Sequence, residues 1–323
     1  YLKGPRMYPE RLLDMGRTLE RLNIDEDPLL KAVLLELTAD LLESALKEFS
    51  GPISWEVDPR FHNDTEAMVE EANLIYQITE ERGLDVERIF IKIPATEAGL
   101  KTTEILIASG INVNLTLVFS IAQALEGLRR FEIGIQKAQE SGLENDKIKM
   151  CISPFLGRWD DFLAREGNDI KDYQGNPIAG IYFAKLLQKR YLAEIEQGRY
   201  SFSHRPQIIM ASIRNANHIQ HLLGADIFAI PPKVLSSAEF ALLPIEKRTI
   251  DEPVADELLA SLLENELFAR SMKDMISFEE GGLTLYEIDH HPLVVEGNFK
   301  FIQPYKELLG LIEKVLTSGF TLP

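Results

Sequence analysis

From Pro28 to Phe49 apolar residues recur at steps of three and four (Leu30, Val33, Leu34, Leu37, Leu41, Leu42, Leu46), the period of a helix with one buried face. A similar run from Glu10 to Leu22 predicts a helix before it. Gly51-Pro52 then interrupts the periodicity, and Ile53 to Asp58 reads as a short strand. Beyond it helix and strand alternate. Helices are predicted over Asp64–Arg82, Glu97–Ser109, Ile121–Ser141, Ile181–Gln197 and Asn217–Leu223, and strands over Arg88–Pro94, Ile111–Phe119, Lys147–Phe155, Gln207–Ile213 and Ile227–Ile230. After Pro231 the pattern predicts helices over Val254–Lys273 and Gln303–Ser318, separated by a polar tract, Ser277 to Lys300, without a readable period.

Near-continuous apolar strands separated by amphipathic helices imply a parallel sheet covered by helices on its outer face. Six such strands are legible, whereas a closed TIM-type (β/α)8 barrel needs eight, and the segment before Ile53 offers helices only. With no linker, repeat or low-complexity tract, the expected organisation is one α/β domain over residues 1–323. It has a helical lead-in (1–50), the strands (51–235) and C-terminal helices (236–323).

Composition narrows the function. The 51 acidic and 34 basic residues give a net charge of −17, which repels nucleic acid and anionic membranes, so an anionic ligand has to be held by local Arg or Lys. The single cysteine, Cys151, excludes an intramolecular disulfide and lies in an apolar run where a small core residue is expected. There is no apolar stretch of about 18 residues and no signal-peptide pattern at the start, so a cytoplasmic location is expected. The six histidines show no metal-ligand spacing, and the adjacent pair His290 and His291 reads as a surface loop.

In a barrel, chemistry gathers at the carboxyl ends of the strands. There the sequence offers Glu56 and Asp58, Lys92, Asn114 and Thr116, Ser153 with Arg158, Ser212 with Arg214, and Lys233. Lys92 sits inside Ile-Phe-Ile-Lys-Ile-Pro; burial there would favour the neutral amine that attack on a ketone requires. The alternative is an ion pair with Glu56 or Asp58. Asn114 and Thr116, two apart in a strand, share one face and have to find partners in water, substrate hydroxyls or each other. Arg158 and Arg214 read as a phosphate clamp, or as partners of carboxylates such as Asp160 and Asp161.

Taken in order, Glu56-Val57-Asp58, Ile91-Lys92-Ile93-Pro94-Ala95-Thr96 with Gly99, Asn112-Val113-Asn114-Leu115-Thr116-Leu117 with Phe119-Ser120 and Gln123-Ala124, Ile152-Ser153-Pro154-Phe155-Leu156-Gly157-Arg158, and Ala211-Ser212-Ile213-Arg214-Asn215 resemble the transaldolase family. Ile230-Pro231-Pro232 is similar to the end of its last barrel strand, and the likeness runs from about Ser50 to Leu235. The resemblance implies that the six strands are strands 3 to 8 of the barrel. It further implies that Lys92 forms a Schiff base with a ketose phosphate, and that Glu56 and Thr116 hold a proton-shuttling water. Asn114 and Ser153 would contact the dihydroxyacetone unit, Ser212, Arg158 and Arg214 the phosphate, and Phe155 would line the water site.

The implied reaction, in the pentose phosphate pathway, interconverts sedoheptulose 7-phosphate plus glyceraldehyde 3-phosphate with erythrose 4-phosphate plus fructose 6-phosphate. Sugar phosphates are the implied partners, with no cofactor or metal, and a homodimer is a possible assembly. The smaller branch of the family, similar to fructose 6-phosphate aldolase, carries Gln and Tyr where this chain has Glu56 and Phe155, which favours transfer over cleavage. The family's first two strands, with their acid/base Asp and Thr-Asn-Pro motif, find no match, because Asp14 and Asn23 lie in helical sequence. The first two barrel strands are therefore expected to be missing from this chain, and a non-catalytic sugar-phosphate-binding paralogue is the competing reading.

Overall fold

The computed structural model describes residues 28–198, 200–273 and 282–317. Helix α1 (Pro28–Glu48) leads into strand β1 (Ile53–Glu56), and α2 (Thr65–Glu81), β2 (Ile89–Pro94), α3 (Glu97–Ala108), β3 (Val113–Val118), α4 (Ile121–Glu140) and β4 (Met150–Pro154) follow in strict alternation. Helix α5 (Leu156–Arg165) comes directly after β4, then α6 (Ala179–Glu196), β5 (Gln207–Met210), α7 (Ala216–His221) and β6 (Ile227–Phe228). Among the described residues six helices follow: α8 (Pro232–Leu235), α9 (Ala238–Ala241), α10 (Asp256–Leu263), α11 (Glu266–Ser271), α12 (Leu285–Asp289) and α13 (Pro292–Thr317).

Among the described residues, the pairings between β1 and β6 are all parallel, and these six strands lie side by side in chain order. This is the arrangement that successive βα units give when each helix returns over the same face. Strand β3 is buried along its whole length, and the core joins its outward residues Val113 and Leu115 to Leu106 and Ile107 of α3 and Leu128 and Phe131 of α4. The alternating α/β architecture is compatible with a TIM-type barrel. Among the described residues, β1 and β6 each pair on one side only. No described helix is long and apolar enough to cross a membrane.

The strand and helix expectations from Ile53 to Phe228 are met to within a few residues, and Cys151 is buried as expected. Helix α5 was not anticipated, because it is short and begins without a side-chain cap, only one residue after β4. The single helix expected over Val254–Lys273 is two: α10 ends at Leu263, and Asn265 starts α11 by accepting a hydrogen bond from the Phe268 N–H at 3.0 Å. The last helix begins at Pro292, well before Gln303, with a proline in its first turn, where the missing N–H costs nothing. His291 is correspondingly not in a surface loop. It is buried and stacks on Phe119, while His290 is exposed. The helix expected over Glu10–Leu22, with Asp14 and Asn23, lies outside the described residues.

Candidate active site

Parallel register places Glu56 opposite Lys92 and Lys92 opposite Asn114, so three polar side chains form a row across β1, β2 and β3. Neighbouring strands lie about 4.8 Å apart, which brings such a row within hydrogen-bonding reach. Lys92 Nζ lies 2.9 Å from Glu56 Oε2, with the two side chains 19% and 29% exposed. The structure thus realises the ion-pair alternative, with Glu56 rather than Asp58 as partner. Lys92 is not walled in by apolar groups alone, and its amine also lies 4.4 Å from the centre of the Phe301 ring, presented by α13.

Asn114 continues the row. Its amide donates to Ser54 Oγ at 3.0 Å, and its carbonyl oxygen accepts from Ser153 Oγ at 2.7 Å. Ser54 was not singled out from the sequence; its signal was the period of two that places it on the same face of β1 as Glu56. Thr116 Oγ1 is buried without a hydrogen-bond partner among the described residues, a demand that a water or substrate hydroxyl would satisfy. Beyond Thr116 the β3–β4 register shifts and Leu117 takes a positive φ of 57°. Phe155 closes this side, edge-on to Phe119 at 6.0 Å and near Phe301 at 6.5 Å.

The two arginines differ. Arg158 Nη1 is buried without a partner among the described residues, and its guanidinium lies 5.3 Å from the Phe155 ring. Burial, partly offset by Glu296 and reinforced by the charge of Arg214, pulls its pKa below the ordinary guanidinium value. Arg214 is more exposed and pairs with Asp161 at 2.7 Å. Asp160, the other carboxylate considered for Arg158, is occupied by His218 at 2.9 Å. Gly157 lets the two loops meet: a Cβ there would fall 2.4 Å from Arg214 Cγ and 2.5 Å from the Ser212 carbonyl oxygen. Ser212 itself has a φ of 59°, the left-handed region that costs a non-glycine residue about 1 kcal/mol or more. Two guanidiniums that repel one another, one with an unused donor, form a site that an anion would relieve. Lys233 is exposed on α8 and joins neither group.

The family model described as transaldolase/fructose-6-phosphate aldolase matches residues 16–279. The chain belongs to this family. Among relatives, it is 29% identical to a transaldolase of Vibrio vulnificus (strain CMCP6) over 271 residues, covering 81% of this chain and 77% of the relative. It is 30% identical to a transaldolase of Methylomonas aminofaciens over 271 residues, with the same coverage. It is 30% identical to one of Chlamydia muridarum (strain MoPn / Nigg) over 230 residues, covering 71% of this chain and 62% of the relative.

In this member of the transaldolase/fructose-6-phosphate aldolase family the match takes in Glu56, Lys92, Asn114, Thr116, Ser153, Phe155, Arg158, Ser212 and Arg214, whereas Phe301 lies beyond it. Asp58, adjacent in sequence, belongs to a separate buried cluster. It accepts from Lys31 Nζ at 2.8 Å and Arg60 Nη2 at 2.6 Å, and Lys31 also meets Glu71 at 2.7 Å and the Tyr305 hydroxyl. Burial pushes the Asp58 carboxyl up, but Arg60 and Lys31 outweigh it and hold the group at about 2. For Glu71 burial outweighs Lys31, and its pKa is raised. No group of three or more potential metal ligands occurs among the described residues.

Proposed function

We propose that this protein is a transaldolase that works through a Schiff base on Lys92, moving a dihydroxyacetone unit between ketose and aldose phosphates. The observation that carries the reading is the amine of Lys92 at the carboxyl end of β2, partly accessible and 2.9 Å from the Glu56 carboxylate. The family and the names of its relatives agree with it. On this reading the six parallel strands are part of an eight-stranded TIM-type barrel within a single domain, and the enzyme acts in the cytoplasm on sugar phosphates.

To attack the C2 carbonyl, Lys92 gives up a proton, for which Glu56 is the adjacent acceptor. A water held between Glu56 and the unpartnered Thr116 hydroxyl returns it as the carbinolamine loses water. The iminium then draws in the electrons of the C3–C4 bond, and the aldose phosphate leaves as its C4 hydroxyl passes its proton to the Glu56 carboxylate through the water held there, from which the second aldose phosphate recovers it. Asn114 and Ser153 meet the hydroxyls of the remaining three-carbon unit. A second aldose phosphate accepts the carbanion, and hydrolysis frees the lysine. Arg158, Arg214 and Ser212 hold the phosphate, and Phe155 lines the water site.

Treatment with fructose 6-phosphate and borohydride is expected to leave a reduced three-carbon adduct on Lys92, found by peptide mass and absent from Lys92→Met. A second reading has a specific motive: Lys92 is ion-paired in the structure. Stabilisation by fructose 6-phosphate without covalent mass would support that reading, a non-catalytic sugar-phosphate binder, and exclude transfer. Glyceraldehyde 3-phosphate released without an acceptor would mark the aldolase chemistry of the family's other branch.

A further inference from the structure

Beneath Ser212 and Arg214 lies a buried polar pair that the carbon chemistry does not use. His218 and Asp160 are 1% and 6% exposed, and His218 Nε2 lies 2.9 Å from Asp160 Oδ2. The other ring nitrogen, Nδ1, accepts the backbone N–H of Arg214 across a long 3.4 Å. A ring nitrogen that accepts carries no proton, so the proton sits on Nε2 and is donated to Asp160.

The second oxygen of Asp160 accepts from the Gly180 N–H at 3.0 Å, at the start of α6. There the backbones are so close that a Cβ on Gly180 would lie 2.6 Å from the Leu156 carbonyl oxygen. Asn215, next to Arg214, accepts from the His218 N–H at 3.2 Å. The pair thus ties α5 and the start of α6 to the peptide N–H of Arg214, two residues after the left-handed Ser212. A loop with an unfavourable φ persists only where its surroundings over-determine it, and this pair is one such constraint.

We propose that Asp160 and His218 are positioning residues for the anion clamp: they fix the Ser212–Arg214 peptides so that Arg214 stays beside Arg158, and so set the affinity for the substrate phosphate. The inference rests on the reading of Arg158 and Arg214 as that clamp. Neither positioning residue touches the substrate; His218 acts through the backbone of Arg214, and Asp160 acts through the tautomer of His218.

Side-chain length separates this role from mere packing. His218→Asn places an amide oxygen near the position of Nδ1, where it accepts from Arg214, whereas His218→Gln extends its amide towards Asp160 and leaves the Arg214 N–H without its acceptor. Titration of the wild type with inorganic phosphate is expected to show binding, and His218→Gln to weaken it about tenfold. The KM for fructose 6-phosphate should rise in parallel with much less change in kcat, while His218→Asn stays close to the wild type.

Asp160→Asn supplies a second variant should His218→Gln not fold. Its NH2 facing Nε2 moves the ring proton to Nδ1 and turns an acceptor into a donor against Arg214, so the same rise in KM is expected. Unchanged phosphate affinity in His218→Gln and Asp160→Asn, equal damage in His218→Asn and His218→Gln, or a loss spread evenly over KM and kcat overturns the inference. A wild type without phosphate affinity overturns the clamp itself, and the inference with it.

Discussion

Two lysine–carboxylate pairs flank β1, and burial gives them different work. Lys31, 1% exposed, is closed in by Asp58, Glu71 and Tyr305, whereas Lys92 and Glu56 keep a share of solvent. The first pair cannot be reached, and its role is to neutralise two buried carboxylates. Lys31→Met is expected to leave Glu71 without its cation and Asp58 with Arg60 alone, and to cost about 3–5 kcal/mol, read from urea unfolding. A change within about 1 kcal/mol would show instead that the cluster is hydrated or protonated in the native state. Lys92 stood out in the sequence because a charge inside an apolar strand is conspicuous. Its partner was named only as one of two carboxylates, since Glu56 and Asp58 both lie at the end of β1 and the inter-strand register that separates them has no one-dimensional trace. Lys31 gave no signal at all: on an amphipathic helix a lysine looks solvated until the tertiary fold covers it. The unpartnered Thr116 hydroxyl and Arg158 Nη1 are likewise three-dimensional facts, although their positions at strand ends were legible.

Helix ends show what part of a sequence motif is structural. In the segment Phe119-Ser120 with Gln123-Ala124, Ser120 caps α4 and Gln123 answers in a capping box; the Gln123 carbonyl accepts from the Phe119 and Ser120 N–H groups at 2.9 and 3.0 Å, and its NH2 donates to Ala95 at 2.8 Å. The motif therefore joins the end of β3 to the loop after β2, next to Thr116 and Lys92. Ser120→Ala is expected to cost about 1 kcal/mol in thermal or urea unfolding, and Gln123→Ala more, because three buried partners then go unmatched. If the two variants cost the same, the three bonds of the Gln123 side chain together add nothing beyond the Ser120 cap. The strands were legible because their apolar runs are long. Helix α5 was lost because it is only ten residues long, follows β4 with the single residue Phe155 between them, and has no side-chain cap to mark its start. The early start of α13 was hidden by His291-Pro292, which reads as a turn, although Leu293, Val294, Gly297 and Phe301 beyond it already keep helical spacing.

At the scale of the whole molecule, a charge of −17 sets a field that works against a phosphate, so the local arginines have to overcome it at short range. Acid adds another global dependence, through a group remote from any charge partner. His291 is buried against Phe119 and Trp159, its Nε2 is 3.2 Å from Ser271 Oγ, and its Nδ1 accepts from the Leu293 N–H at 3.2 Å. Burial lowers its pKa from 6.5 to about 3. In the unfolded chain the ring takes up a proton as the pH falls below about 6.5, whereas in the folded protein it stays neutral down to about 3. Over that window the unfolded state binds more protons, so stability declines as the pH drops, by up to about 1.4 kcal/mol per unit from this residue alone. Many carboxylates titrate in the same range, and comparison with His291→Asn, which keeps an acceptor for Leu293 but does not titrate, isolates the histidine. Urea unfolding between about pH 6 and about pH 4 is expected to give the variant a slope shallower by roughly 1 kcal/mol per unit. Parallel slopes would mean that the folded protein protonates His291 as readily as the unfolded chain, and that the ring is not held in the sealed environment between β3 and α13.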